Sequence, residues 1–130
     1  MEIKERDLEV TLPYILRLLG QRYHFQVLQP AMKMTDEQLY LKGVIEYGRM
    51  KFAFDTCLKA GIERGYPYIE MVRGKVDGPW LKGDLYELAK RYLGHLRDIK
   101  WANSRLYLMD WGNRVSQLTL ADGMLTIEFF

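Results

Sequence analysis

Residues 105–130 read RLYLMDWGNRVSQLTLADGMLTIEFF, and the turn residues within this stretch decide the predicted fold. Three short apolar runs are separated by the dipeptides Gly112-Asn113 and Asp122-Gly123. Glycine, asparagine and aspartate tolerate the positive φ angles that tight hairpin turns require. The stretch therefore predicts a three-stranded antiparallel meander.

Upstream of the meander, apolar residues recur at helical spacing in three segments. The first predicts a helix over about 11–19, with Thr11 as its N-cap and Gly20 at its end. Over residues 8–19, the apolar positions at helical spacing are Leu8, Leu12, Ile15, Leu16 and Leu19.

The second segment predicts a long helix over about 36–64. Thr35 and Gln38 have the spacing of a capping box, and Gly65 ends the segment. Its stripe is formed by Leu39, Gly43, Tyr47, Met50, Phe54, Cys57, Leu58 and Ile62. The third segment predicts a helix over about 84–101, which begins after the N-cap Asp84.

These elements predict a two-layer α+β fold in a single domain spanning 1–130. An antiparallel sheet with the C-terminal meander at about 104–130 is covered by two or three of the helices. Residues 22–28 and 68–76 stay open between a strand and other states. Alternating apolar residues favour a strand over 22–28, while Pro30 also permits a helix that ends before it.

Composition excludes several classes of protein. A chain of 130 residues with a net charge of +2 is too weakly basic for a dedicated nucleic-acid binder. Its only cysteine, Cys57, permits no intramolecular disulfide and favours a reducing, cytoplasmic setting. The charged N-terminal residues do not resemble a signal peptide, and no apolar run is long enough for membrane insertion.

No motif predicts a catalytic residue, a metal ligand or a cofactor. His24 and His95 stand apart from any metal-binding spacing, and Cys57 falls on an apolar stripe that is typical of a core cysteine. The carboxylates form no pair suited to acid–base chemistry. An enzymatic function is therefore not favoured, although residues brought together only by the fold would revive it.

A nucleic-acid-binding accessory protein is the alternative function. The glycine-rich loop 73–83 precedes a helix, and helix 85–101 has a basic face. The loop departs from a phosphate-binding P-loop because Asp84 stands where the lysine is needed. The candidate residues are Arg73, Lys75, Trp80, Lys82, Lys90, Arg97 and Trp101.

The favoured function is a non-enzymatic protein–protein interaction module, that is, a small adaptor, chaperone-like or regulatory protein. The predicted strand 105–111 is apolar on both faces, so that the N-terminal segment, a second copy or a protein partner is needed to cover one of them. Packing within the chain itself would use many of these side chains, and association would use the rest. The final strand offers an edge for pairing in a homodimer. The predicted partner-binding residues are Tyr107, Met109, Trp111, Phe129 and Phe130.

Overall fold

The computed structural model describes residues 1–35, 37–78 and 82–130, with the backbone alone for Lys82. The described residues are mostly β-structure, with 56% of them in strands and 25% in helices. The predicted two-layer α+β class, an antiparallel sheet with a C-terminal three-stranded meander covered by two or three helices, is therefore wrong. Two antiparallel sheets form the body of the protein, and two α-helices pack against them.

The strands are β1 (Glu2–Lys4), β2 (Gln26–Met34), β3 (Leu39–Tyr47), β4 (Met50–Glu63), β5 (Tyr66–Asp77), β6 (Lys82–Asp84), β7 (Ile99–Ala102), β8 (Arg105–Leu108), β9 (Val115–Ala121) and β10 (Met124–Phe129). The helices are α1 (Glu5–Tyr23) and α2 (Leu85–Leu93), and a single 3-10 turn spans Met109–Trp111.

The large sheet has the strand order β2-β3-β4-β5-β8-β7, and β6 adds to the end of β5. The small sheet has the order β1-β10-β9. Every pairing among the described strands is antiparallel. The two sheets meet where β9 packs against β4.

The predicted long helix over 36–64 does not exist. Its residues form β3 and β4, two paired strands that turn at Gly48, whose φ of +62° suits a tight hairpin. The predicted capping residue Thr35 instead donates its backbone N–H to the carbonyl of Gln38 at 2.9 Å. Residue Asp36 lies outside the described residues.

Both helices that do form differ in length from the predictions for 11–19 and 84–101. Helix α1 begins earlier and continues past Gly20 to His24, a C-cap residue with a φ of +62°. Pro13 therefore lies inside α1. Helix α2 ends at Leu93, and its predicted N-cap is confirmed because Asp84 accepts a hydrogen bond from the backbone N–H of Glu87 at 3.0 Å.

The predicted meander over 104–130 is split between the two sheets. Its second hairpin is confirmed, since β9 and β10 pair around Asp122 and Gly123, both at positive φ. Its first strand, β8, instead lies between β5 and β7 in the large sheet. Strand β10 pairs with β9 on one side and, through residues 124–126, with β1 on the other. Pairing of the remaining edge of β10 in a homodimer stays a prediction. The segments left open at 22–28 and 68–76 contribute to strands β2 and β5.

The large sheet has an apolar inner face and a polar outer face. On β4 the alternate residues Phe52, Phe54 and Thr56 are buried, whereas Ala53 and Asp55 between them are exposed. Helix α2 covers one part of the inner face with Leu85 and Leu88. The other part packs against α1 and the small sheet around Leu8, Met34 and Leu120.

Candidate protein interaction surface

Three of the five predicted partner-binding residues lie close together at one end of the small sheet. Trp111 is the last residue of the 3-10 turn, and Phe129 is the last residue of β10. The centroids of these two rings are 5.8 Å apart, and the rings are tilted by 45°. Trp111, Phe129 and the following Phe130 are 44%, 52% and 89% exposed. We call these three residues the aromatic patch.

The backbone fixes the position of the aromatic patch. The carbonyl of Trp111 accepts the N–H of Arg114 at 3.2 Å, and the carbonyl of Arg114 accepts the N–H of Phe130 at 3.2 Å. Phe129 lies opposite Val115, a buried residue of β9. A cavity of about 360 Å³ is lined by Trp111, Arg114 and Phe129.

The other two predicted partner-binding residues lie elsewhere. Met109 begins the 3-10 turn and is half-buried, and its backbone N–H donates to the carbonyl of Asp98 at 3.0 Å. Tyr107 lies in β8 and donates its hydroxyl to Glu63 at 3.0 Å. The predicted strand 105–111 ends at Leu108, so Tyr107, Met109 and Trp111 do not share the face of one strand.

Tyr107 belongs to a polar cluster on the outer face that sequence reasoning missed. Arg105 on β8 donates to Glu70 on β5 at 2.8 Å and also binds Glu63 on β4. Its guanidinium lies over the ring of Tyr68, which is itself 5.8 Å from the ring of Tyr107. The cluster therefore connects three neighbouring strands of the large sheet.

The charges of this cluster indicate a structural role. The hydrogen bond to Glu70, and next the one to Tyr107, raise the pKa of Arg105 above its already high ordinary value. The guanidinium thus stays charged, and its donors point to carboxylates of the same chain. No sequence pattern signals the cluster, because register alone brings Glu63, Glu70 and Arg105 together.

The residues of the nucleic-acid alternative are spread over the structure. Arg73 pairs with Asp55 at 3.2 Å on the outer face, and Lys75 lies opposite Asp84 in the register of β5 and β6. Lys90 lies on α2, whereas Arg97 follows the end of that helix. The predicted basic face of a helix 85–101 is therefore not formed.

The tryptophans of that alternative add no free stacking surface in the described residues. Trp101 lies on β7 with its ring edge-on to Tyr86, at a centroid distance of 5.5 Å. Its indole N–H is buried and finds no acceptor within the described part of the chain. Trp80 lies outside the described residues, and nothing is described of the Lys82 side chain.

The two histidines and the cysteine are the residue types that could support catalysis, and each can be located in the secondary structure. His24 caps α1 in the left-handed conformation, and His95 is exposed just after α2. Cys57 is buried, as predicted, although it lies on β4 and its sulfur is 2.9 Å from Oε1 of Gln38. Within residues 1–35, 37–78 and 82–130, no group of three or more histidine, cysteine or acidic side chains could hold a metal ion.

A larger cavity of about 490 Å³ lies between α2 and strands β5 and β6. Its lining mixes both signs of charge with two apolar side chains. The lining residues are Val76, Gly83, Asp84, Glu87, Leu88, Lys90 and Arg91.

A second exposed apolar surface lies on α1, where only Leu8 and Gly20 are buried. Two residues predicted for the core stripe, Ile15 and Leu19, instead face solvent. The signal available in the sequence is that α1 is apolar around most of its circumference. We call the exposed set Val10, Tyr14, Ile15, Leu18 and Leu19 the α1 apolar face.

Neither α1 nor α2 has both the length and the apolar character needed to cross a membrane. No model of a protein family, no curated protein and no solved structure matches this chain. The positions of its own side chains are therefore the basis for a functional proposal.

Proposed function

We propose that this chain is a non-enzymatic protein–protein interaction module that binds a partner protein through the aromatic patch. The observation that supports this function best is the contact between Trp111 and Phe129, two large rings held together while both stay about half exposed. Isolated exposed apolar side chains are ordinary, but a contiguous group of them marks an interaction site.

The chemistry of the aromatic patch suits a protein partner. Tryptophan and phenylalanine bury a large area at a low cost in side-chain entropy, and they are enriched at the centres of protein interfaces. Arg114 beside Trp111 and Phe129 adds a guanidinium, which pairs with carboxylates at the rim of an interface. The complementary partner surface is an apolar pocket with acidic residues at its margin.

The backbone around the aromatic patch favours binding without rearrangement. Hydrogen bonds link Trp111, Arg114 and Phe130, so the rings are held before a partner arrives. Preorganisation of this kind reduces the entropy lost on association. A small adaptor, chaperone-like or regulatory protein of the cytoplasm is the class of protein that such a surface serves.

The test is a pull-down from native lysate with tagged wild type, Trp111→Ala and Phe129→Ala. Tyr92→Ala is the matched control, because Tyr92 is an equally large ring, 60% exposed, on α2. We expect a stoichiometric protein that the wild type and Tyr92→Ala retain and that both patch variants lose. Truncation of a central aromatic residue commonly costs 2 kcal/mol or more of binding energy, that is, about thirtyfold in affinity.

Nuclease treatment separates this proposal from the nucleic-acid alternative. Material retained only without nuclease, and released steeply by salt, would contradict the protein-binding proposal and favour phosphate contacts. Equal retention of one partner by the wild type and by Trp111→Ala would exclude the aromatic patch as its binding site.

A further inference from the structure

The α1 apolar face is the largest group of exposed apolar side chains on one element of the described chain. Its five members are between 40% and 77% exposed, and they occupy three consecutive turns of α1. At about 100° per residue, they project to one half of the helix circumference. The opposite half contains the half-buried Leu12 and Leu16, and the buried Leu8 lies at the boundary of the two halves, beside Leu19.

We infer that a second copy of this chain covers the α1 apolar face by packing its own α1 antiparallel against it. Four of the five apolar positions are symmetric about a point midway between Tyr14 and Ile15, and Leu18 is the exception. Val10 and Leu19 are equidistant from that point, and Thr11 occupies the position equivalent to Leu18. A two-fold axis through this point therefore places the apolar turns of one α1 against the apolar turns of the other, as an isologous interface requires.

The charges at the two ends of the α1 apolar face favour a second copy over an unrelated partner. Asp7 and Arg22 lie equally far from the midpoint, and both are exposed on the same side of α1 as Leu18. Antiparallel packing places the turn containing Asp7 beside the turn containing Arg22 of the second copy. This pairing of opposite charges occurs at both ends of the interface. The antiparallel arrangement also places the two helix dipoles in opposite directions, which is favourable.

A parallel arrangement lacks this complementarity. It would place Asp7 beside its own equivalent and Arg22 beside its own equivalent, so that like charges would repel at both ends. One helix face is smaller than the roughly 800 Å² per partner of a standard stable interface. The expected assembly is therefore a dimer whose population depends on protein concentration.

This inference concerns a surface other than the aromatic patch, and it holds whether or not a partner protein binds that patch. The first test is sedimentation velocity of the purified chain across a range of concentrations. We expect the wild type to move from monomer to dimer as concentration rises, and Leu18→Glu to stay monomeric. Tyr92→Glu and Trp111→Ala are the controls, and both should dimerise as the wild type does.

A charge exchange tests the antiparallel orientation. Asp7→Arg and Arg22→Asp each replace two attractions by two repulsions, so each should raise the dimer dissociation constant about tenfold. The double variant restores both pairs with reversed polarity and should recover most of this loss. Circular dichroism of every variant checks that α1 stays folded.

Disulfide trapping gives an independent readout of the same geometry. Ile15→Cys lies next to the two-fold axis and should form a symmetric disulfide under mild oxidation. Leu18→Cys should not, because antiparallel packing separates its two copies by about 10 Å along the helices, whereas a disulfide needs Cα atoms within about 7 Å. A wild type that is monomeric at every concentration, a Leu18→Glu variant that still dimerises, or a Leu18→Cys variant that cross-links as readily as Ile15→Cys would overturn the inference.

Discussion

The guanidinium carbon of Arg105 lies 4.0 Å from the centroid of the Tyr68 ring, a cation–π contact between adjacent strands β8 and β5. The same guanidinium binds Glu63 and Glu70, so one side chain neutralises carboxylates on β4 and β5. The outer face of the large sheet is therefore joined across three strands by a single arginine.

Removing that arginine should destabilise the fold. We expect Arg105→Ala to lower the free energy of unfolding by about 2 kcal/mol, since the Glu70 hydrogen bond and the Tyr68 contact are lost. The contribution of Glu63 is smaller because that carboxylate is more exposed. Urea denaturation measures the change. Arg73→Ala is the control, because its ion pair with Asp55 is exposed and should contribute under about 0.5 kcal/mol. Equal effects of the two substitutions would refute the role of the cluster.

Tyr86 connects α2 to the large sheet by donating its hydroxyl to the carbonyl of Arg105 at 3.1 Å. We expect Tyr86→Phe to lower the free energy of unfolding by about 1 kcal/mol at neutral pH. Burial, and next the charge of Glu87, raise the pKa of Tyr86 above its ordinary value. The folded protein therefore holds this proton more tightly than the unfolded chain does.

The stability that Tyr86 contributes should depend on alkaline pH. It is fully present below the unfolded pKa of about 10 and is lost as the pH rises through the higher folded pKa. Thermal melts of wild type and Tyr86→Phe between pH 7 and pH 11 measure this difference. The gap between their melting temperatures should close at the alkaline end, and a gap that widens there would contradict the assigned direction.

Gly20 should resist substitution even though alanine is the better helix former. A Cβ at Gly20 would meet the backbone carbonyl oxygen of Phe25, which cannot move aside as a flexible side chain can. We expect Gly20→Ala to cost about 1–2 kcal/mol net, because overpacking exceeds the gain in helix propensity. Gln21→Ala, at the next and exposed position, should be neutral or slightly stabilising. The midpoints of urea denaturation of Gly20→Ala and Gln21→Ala, each compared with the wild type, measure these two changes in stability.

Cys57 gives a direct probe of unfolding, because it is the only cysteine and is buried. A thiol reagent should label the native protein about a hundredfold or more slowly than the urea-unfolded chain. The second-order rate of labelling, followed by absorbance, measures this protection. Rapid stoichiometric labelling without urea would show that the sulfur is accessible and would argue against its core position.

Substitutions in the aromatic patch and at its buried neighbour Val115 should have different effects on partner binding and on stability. Val115 lies opposite Phe129 and is 2% exposed, so Val115→Ala should cost about 2 kcal/mol of folding free energy. Trp111→Ala removes a half-exposed ring and should cost less than about 1 kcal/mol while abolishing partner binding. Parallel urea titrations and pull-downs test the distinction. A large loss of stability in Trp111→Ala would assign the ring to folding instead.

The error over 36–64 has a physical origin in two periodicities that coexist in the segment. Leu39, Gly43 and Tyr47 recur at helical spacing, but Leu39, Leu41, Gly43 and Ile45 also alternate as a strand requires. The decisive signal was Gly48, whose positive φ turns the chain between β3 and β4. A glycine inside a helix costs only about 1 kcal/mol relative to alanine, so Gly48 by itself did not exclude the predicted helix.

Sequence signals were reliable for features that depend only on residues close together in the chain. The N-cap at Asp84 and the hairpin at Asp122-Gly123 depend on residues within a few positions of each other, and both were predictable. The cluster around Arg105 depends on pairing between β4, β5 and β8, which no spacing in the sequence indicates. The contact between Trp111 and Phe129 likewise depends on how the chain passes from the large sheet to the small sheet, which no spacing in the sequence indicates.

The small sheet joins segments from opposite ends of the sequence, since Ile3 of β1 pairs with Leu125 of β10. Formation of this pair closes a loop that contains nearly the whole chain, and the entropy of that closure must be offset before the contacts are gained. The β1–β10 pairing is therefore expected to form late in folding, after the local hairpins β3–β4 and β9–β10. Until it forms, one edge of β10 remains open to strands of other molecules, which adds a risk of aggregation during refolding at an edge that β1 covers in part in the native state.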